Sequence, residues 1–454
     1  MTTAQLGEIA SIVRGIAFPK EDKSAEPLPG HVACLRTTNV QRTVEWEDLW
    51  FVPEKHVKRE EQIVRSGDIL ISTANSYELV GKVAPVTGMP HKATLGAFIS
   101  LIRPNERVDP KFLYHQLAWG KTQSRIRETA STTTNISNVS TKKLLTLEMF
   151  TPPLDEQREI VAELEKQFSR LDEAVANLQR VKANLKRYKA SVLKDAVEGR
   201  LVPTEAELAR REGRTFETGE QLLHAALLGR RIKWDRRGKY SEPKATDSDE
   251  FPILPEGWVW AKVEQLGFVR GGKRLPAGHK YTEESTRYPY IRVTDFNEYG
   301  VDTTSLKYLT SETRKEIQRY TISSDDVYIS IAGSIGLVGV VPEALSGANL
   351  TENAAKITDL EHVDRKYLMY WLSSAKGVSA ISDSTIATTQ AKLALYRIEN
   401  IPVPLPPLAE QVRIVGEVDR YLSIIREVEA EVDANLHRAS ALRQSTLRKA
   451  FETP

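Results

Sequence analysis

The sequence predicts an α+β protein made from one unit used twice: two similar mixed α/β globular domains separated by two long antiparallel helices, paired as a coiled coil, with a pseudo-two-fold internal repeat. Three observations carry this. The stretch PPLDEQREIV begins at Pro152 and returns as PPLAEQVRIV at Pro406, and further matches precede it in the same order. Each copy opens a proline-free segment whose apolar residues alternate between spacings of three and four, the mark of a coiled-coil seam. The 454 residues, 41% of them hydrophobic, suffice for several domains at roughly 100–200 residues each.

The first domain, 1–153, holds short β-branched runs such as Asp68-Ile69-Leu70-Ile71, broken by Gly, Pro, Asn and Ser. A first long helix is expected over 154–200. Residues 201–255 read as a linker that includes a helix-like stretch from Thr218 to Lys233. Its basic cluster of Arg230, Arg231, Lys233, Arg236, Arg237 and Lys239 reads as solvated surface, with contact to phosphate as the alternative. The second domain spans 256–407 and repeats the first: SDDVYIS from Ser324 matches SGDILIS from Ser66, VGVV from Val338 matches VGKV from Val80, and VDRKYLMY from Val363 matches VDPKFLY from Val108. A second long helix fills 408–454.

Val161, Leu164, Phe168, Leu171, Val175, Leu178, Leu185, Val192 and Ala196 form one seam; Val415, Val418, Leu422, Ile425, Val432, Leu436, Ala439 and Ala450 form the other. Burying one such aliphatic side chain contributes about 1.5–3 kcal/mol, so the two stripes are expected to cover each other. Charge sets their direction. From Asp155 to Glu173 there are seven acids and three bases, and from Ala174 to Arg200 seven bases and two acids; Glu410 to Asp433 and Ala434 to Pro454 repeat the trend. Antiparallel packing places opposite signs side by side, and the same distribution suits the helix dipoles. Aligning the helices about a common centre puts Lys189 near Glu417 and Arg443 near Glu163.

Lys plus Arg number 63 against 61 Asp plus Glu, so net charge neither demands nor excludes a nucleic-acid partner. The single cysteine, Cys34, rules out an internal disulfide and a multi-cysteine zinc site, as expected for a reducing cytoplasm. No basic stretch leads into an apolar run at the N-terminus, and no run of about 18 apolar residues could form a membrane span, so a soluble cytoplasmic protein without membrane contact is expected. Trp119-Gly120-Lys121-Thr122 lacks the first glycine of a phosphate-binding loop, Gly333 to Gly339 lacks the dinucleotide spacing, and Thr151-Pro152-Pro153-Leu154 lacks the polar and aromatic ends of an amino-methyltransferase tetrapeptide. The eight histidines show no metal-ligand spacing. No catalytic residue, metal site or cofactor is assigned.

In the second unit Gly271-Gly272-Lys273, Tyr290-Ile291-Arg292-Val293-Thr294-Asp295-Phe296, DDVYISIAGSIGLVGVV from Asp325, and IPVPLPPLAEQ from Ile401 follow one another into a long helix. In this order they resemble the specificity subunit of type I restriction-modification systems, as do LPEGWVW at Leu254 and GRLVP at Gly199. The first unit departs from the pattern: Gly15-Ile16-Ala17-Phe18-Pro19 stands at the place of Gly271-Gly272-Lys273, and Ala74-Asn75-Ser76 at that of Ala332-Gly333-Ser334. The resemblance implies two target recognition domains, each reading one half of a bipartite double-stranded DNA site, with the helices setting the gap. It implies as partners two methyltransferase subunits and two restriction and translocation subunits, which supply the chemistry and its cofactors.

Base discrimination calls for Arg or Lys toward guanine and Asn or Gln toward adenine. The candidates in the first domain are Arg36, Asn39, Gln41, Arg42, Asn75, Arg125, Arg127, Asn135 and Asn138. In the second they are Lys273, Arg274, Arg292, Asn297, Ser334 and Gln390. The alternatives are a methyltransferase or nuclease with embedded catalysis, and a coiled-coil scaffold that binds proteins.

Overall fold

The computed structural model describes residues 2–133, 136–234, 239–244, 251–383 and 392–452. They form two compact units that divide both long helices: Met1–Arg180 with Val432–Pro454, and Val181–Glu431.

In the first unit a four-stranded antiparallel sheet runs Ala10–Arg14, Ile99–Pro104, Ile69–Ser72, Val83–Pro85. A second sheet runs Trp50–Pro53, His31–Leu35, Ala93–Leu95, its last pair parallel. The second unit repeats the first sheet strand for strand, as Phe268–Gly271, Ala354–Thr358, Val327–Ser330 and Val338–Val340. It repeats the other as Lys307–Tyr308, Pro289–Ile291 and Ala348–Leu350, with Thr321–Ile322 added. The duplicated sequence is thus a duplicated fold.

Buried ion pairs repeat with the sheets. The aspartate of each S-G/D-D match turns inward: Asp68 accepts from Arg103 Nε at 2.8 Å and Nη2 at 2.7 Å, and Asp326 accepts from Lys356 Nζ at 2.7 Å. Each also accepts the backbone N–H three residues earlier, from Arg65 at 2.7 Å and Ser323 at 2.8 Å. Strand pairing sets the equivalence more finely than the letters do. Ile16 N donates to Leu95 O and Lys273 N to Leu350 O, so Gly15 corresponds to Gly272, one residue later than the sequence alignment placed it. A Cβ on Gly15 would lie 2.2 Å from Gly96 O, and one on Gly272 2.0 Å from Thr351 O, so only glycine fits.

The long helices span Leu154–Val197 and Leu408–Glu452. Along the first, contacts to the second descend in number, from Thr446 at Gln167 to Arg443 at Asp172 to Tyr421 at Tyr188, as antiparallel packing requires. The expected register is corrected. Arg443 pairs with Asp172, not Glu163, and Lys189 with Glu298, not Glu417. Lys189 is drawn to its globular neighbour, 5.1 Å from the Tyr299 ring, whereas Arg443 stays on the partner helix, its guanidinium 4.0 Å from the Phe168 ring, and shares Asp172 with Arg42. Leu447 and Phe451 are buried seam residues that the heptad reading missed; Phe451 packs on Phe112 and Trp119.

Residues 201–255 are more than a tether. Thr204 caps a helix at Glu205–Glu212 and Thr218 caps another at Gly219–Ile232, each in a reciprocal capping box. Leu222 and Ala226 enter the second unit's core. Arg230 is 6% exposed and donates to Gly267 O at 2.6 Å, which corrects the solvated reading of this cation, while Lys233 stays exposed and pairs with Glu361; Arg236 and Arg237 lie outside the described residues. Among the described residues no helix is long and apolar enough to cross a membrane.

Candidate nucleic-acid interface

Polar loops hang from the sheets of each unit, and hydrogen bonding divides the candidate residues into those spent on the fold and those left over. A turn after each inner strand begins with arginine. Arg36 N donates to Asn39 Oδ1 at 2.8 Å, and Arg292 N to Asp295 Oδ2 at 2.8 Å. Asn39, 2% exposed, also donates to Glu45 O and Glu47 O, each at 3.0 Å. Arg36 Nη2 bonds Asp48 O, and Arg292 Nη2 bonds Ser305 O at 3.0 Å, while Arg292 grips buried Asp295 through Nε and Nη2. These three side chains hold their own loops together. A base contact by them would break internal bonds.

Gln41 is engaged at both ends, donating to Thr38 O at 2.9 Å and accepting from Lys82 Nζ. Arg42 pairs with Asp172, and Arg125 Nη1 donates to Glu148 O at 2.9 Å. Asn75 lies on a short strand, Ala74–Asn75, beside Ser137–Val139. Its amide donates to Ser72 Oγ at 3.3 Å and its oxygen accepts from Ser76 N at 2.9 Å. Asn138, on the neighbouring strand, is exposed and paired through its backbone with Ser131 and Ala74. Arg127, half-buried on the helix Gly120–Glu128, has no ion pair among the described residues. Asn135 and Gln390 lie outside them.

In the second unit the candidates remain more open. Lys273 and Arg274 are exposed neighbours; Lys273 Nζ lies 5.7 Å from the Tyr320 ring, and Arg274 Nε reaches Glu352 at 3.3 Å with 76% of its side chain exposed. Asn297 is exposed, and Ser334 is exposed in a turn whose Gly333 and Gly336 have φ of 76° and 88°. That left-handed backbone favours glycine and keeps the loop slim enough to enter a groove. Basic and amide groups on such loops can meet phosphates and base edges.

Letter-matching to bases missed the aromatic side chains. In the first unit Phe18, Trp50 and Phe98 line a cleft of about 570 Å³ together with Lys20, Lys23, Cys34 and Arg36. Phe98 is 62% exposed, although an aromatic at the head of a strand reads as core. The signal available was its equivalent in the repeat, Asn353: Thr73 N donates to Phe98 O as Ile331 N does to Asn353 O. Burial pushes the Cys34 thiol up to about 12, which keeps it neutral.

A family model described as the type I restriction modification DNA specificity domain matches residues 1–186 and again 255–436. Similar proteins include the type I restriction enzyme EcoKI specificity subunit of Escherichia coli K12, 23% identical over 99% of this chain and 88% of that one. The EcoBI specificity subunit of Escherichia coli is 26% identical over 76% of this chain and 66% of its own. A solved chain from work on complex assembly and conformational transition of the type I R-M system superposes with a TM-score of 0.63 at 19% identity, over 99% of this chain and 97% of that one, a likeness of fold.

Proposed function

The chain belongs to the type I restriction modification DNA specificity family, a non-catalytic sequence-recognition subunit, and from that premise we propose that each globular domain reads one half of a bipartite, asymmetric duplex site. The domains so assigned are 1–153 and 256–407. One observation carries the reading: the family model matches twice, on two units whose equivalent positions hold different chemistry. Exposed Phe98 stands where the second unit has exposed Asn353, and buried Ile16 where it has exposed Lys273. Identical readers would suit a palindrome; unlike readers suit two unlike half-sequences. The contact residues proposed are the exposed or unspent ones: Arg127 and Asn138 in the first domain, and Lys273, Arg274, Asn297 and Ser334 in the second.

The long helices are proposed to set the spacer and to dock two methyltransferase subunits, with two restriction and translocation subunits joining them in the cytoplasm. Val412, Ile424 and Val428, 59%, 45% and 37% exposed on the second helix, are apolar groups that such a partner would cover. The test is methylation profiling of DNA from a host that expresses the chain with its partner subunits. One bipartite motif with unlike halves is expected; a palindrome or the absence of any modified motif would overturn the reading. Duplex binding by the assembled complex should also weaken steeply as salt rises.

A further inference from the structure

One turn is built alike in both units and carries a different side chain at its tip. In the second unit it joins the strands Ala348–Leu350 and Ala354–Thr358, and Asn353 is its last residue. Four backbone hydrogen bonds fix it: Ala354 N donates to Thr351 O at 3.2 Å, Gly272 N to Ala354 O at 3.0 Å, and Ile331 N and Ala332 N to Asn353 O at 2.8 and 3.3 Å. The first unit repeats all four. Ile99 N donates to Gly96 O at 3.1 Å, Gly15 N to Ile99 O at 3.2 Å, and Thr73 N and Ala74 N to Phe98 O at 2.9 and 3.1 Å. Asn353 and Phe98 are therefore exposed groups on equally rigid mounts.

Neither side chain serves the fold. An asparagine in a turn ordinarily bonds a nearby backbone group. Here Thr351 Oγ1 takes that place, accepting from Asn353 N at 3.5 Å, and the Asn353 amide makes no hydrogen bond among the described residues. Phe98, 62% exposed, covers no core. The flanks of the second turn suit a DNA strand. On one side Gly272 leads to Lys273, exposed and without an ion pair among the described residues, which can meet a phosphate. On the other, Ile331 and Ala332 lead into the slim loop of Gly333, Ser334 and Gly336. Glu352, the one acid in the turn, is held by Arg274 Nε at 3.3 Å and Thr351 Oγ1 at 3.0 Å.

We propose that the tip of this turn is a base-reading position in each domain: Asn353 bonds N6 and N7 of an adenine in the half-site of the second domain, and Phe98 packs on the methyl group of a thymine in that of the first. An amide with donor and acceptor both open matches the major-groove edge of adenine, and an apolar ring matches the thymine methyl. A base contact discriminates only when its side chain is held in place, which the four repeated bonds provide. The inference rests on the DNA-reading role above and narrows it to one side chain in each domain.

The test uses the full chain assembled with its methyltransferase partners, on duplexes carrying the methylated motif found by profiling. 7-Deazaadenine, which lacks only the N7 acceptor, replaces each adenine of the second half-site in turn, on either strand. Uracil, which lacks only the methyl group, replaces each thymine of the first. Wild-type binding is expected to weaken roughly five- to tenfold at one 7-deazaadenine position and about fourfold at one uracil position. Asn353→Ala should weaken binding to the unmodified site roughly ten- to hundred-fold and silence that 7-deazaadenine while keeping the uracil effect. Phe98→Ala should silence the uracil alone. If no adenine analogue lost its effect in Asn353→Ala, or no uracil in Phe98→Ala, the assignment would be overturned and the two-reader role left intact. Loss of the methyltransferase subunits from either variant on gel filtration would also overturn it, placing the turn in a protein interface. A complex that binds no motif specifically would overturn both.

Discussion

Gln157 and Gln411 stand at the same place in the repeat and make the same three hydrogen bonds. Each is fully buried in the first turns of a long helix. Gln157 donates to Pro152 O at 2.7 Å and Arg107 O at 3.2 Å and accepts from Asp109 N at 2.8 Å; Gln411 donates to Pro406 O at 2.9 Å and His362 O at 3.3 Å and accepts from Asp364 N at 2.7 Å. Gln157→Ala should therefore destabilise the first unit, and Gln411→Ala the second, by roughly 1–3 kcal/mol for each buried group left without a partner, measured as a shift in urea midpoint. The neighbouring glutamates diverge although both sit in the matched P-P-L-x-E-Q stretch. Glu156 is exposed, whereas Glu410 is buried, accepting from Trp258 Nε1 at 3.0 Å and Glu205 N at 2.8 Å, and burial raises its pKa. The repeated E-Q pair was legible as a motif; its meaning was not, because acid followed by amide at a helix start ordinarily reads as a solvated first turn. A second expectation concerns His115, which burial among Tyr114, Phe168 and their neighbours lowers to about 4. The folded value lies below the ordinary 6.5, so its contribution is fully present above pH 6.5 and is lost as pH falls toward 4, amounting to about 3 kcal/mol. Urea unfolding at pH 7 and pH 5 should show about 2 kcal/mol of that loss for the wild type and a smaller loss for His115→Gln; equal losses would assign the titration to another group.

Helix number, period and opposed direction were legible, because an alternating three-four pattern and a charge gradient are properties of a segment by itself. Register was not. It depends on Glu298 and Tyr299, from a distant part of the chain, which capture Lys189, and on Asp172, which Arg443 shares with Arg42 of the globular domain. At Asp172 two guanidinia, from Arg42 and Arg443, converge on one carboxylate. Asp172→Asn should leave them facing each other and cost roughly 1–3 kcal/mol, discounted for partial exposure of the site. Adding Arg42→Gln should recover part of the loss, a coupling that a double-mutant cycle reads directly. The segment 201–255 was under-read for a related reason: caps and short amphipathic stretches were visible, but not the surface they cover. Leu222 is fully buried in the second unit's core. Leu222→Ala is expected to cost about 2–5 kcal/mol, whereas a residue in a mere tether would cost almost nothing; thermal or urea unfolding distinguishes the two.

The duplicated fold separates what must stay the same from what must differ. Repeated features are those that build the frame: the paired sheets, the inward aspartates, the buried glutamines and the close-approach glycines. Differences gather where strands end and loops begin, at Ile16 and Lys273, Cys34 and Tyr290, Phe98 and Asn353. A frame repeated without its surface lets each reader change while the other is kept, so exchanging residues 256–405 for those of a relative should change one half-sequence of the methylated motif and leave the other. The helices make a separate demand. If they set the spacer, their length should be readable in the motif itself. Deleting one heptad from each helix keeps the seam in phase and removes about 10 Å of rise at ~1.5 Å per residue, comparable to about three base-pair steps at ~3.4 Å. Methylation profiling of that variant should recover both half-sequences with a spacer shortened by about three base pairs. Retention of the original spacer would mean that the gap is held by the partners or by bending of the DNA, and not by the paired helices.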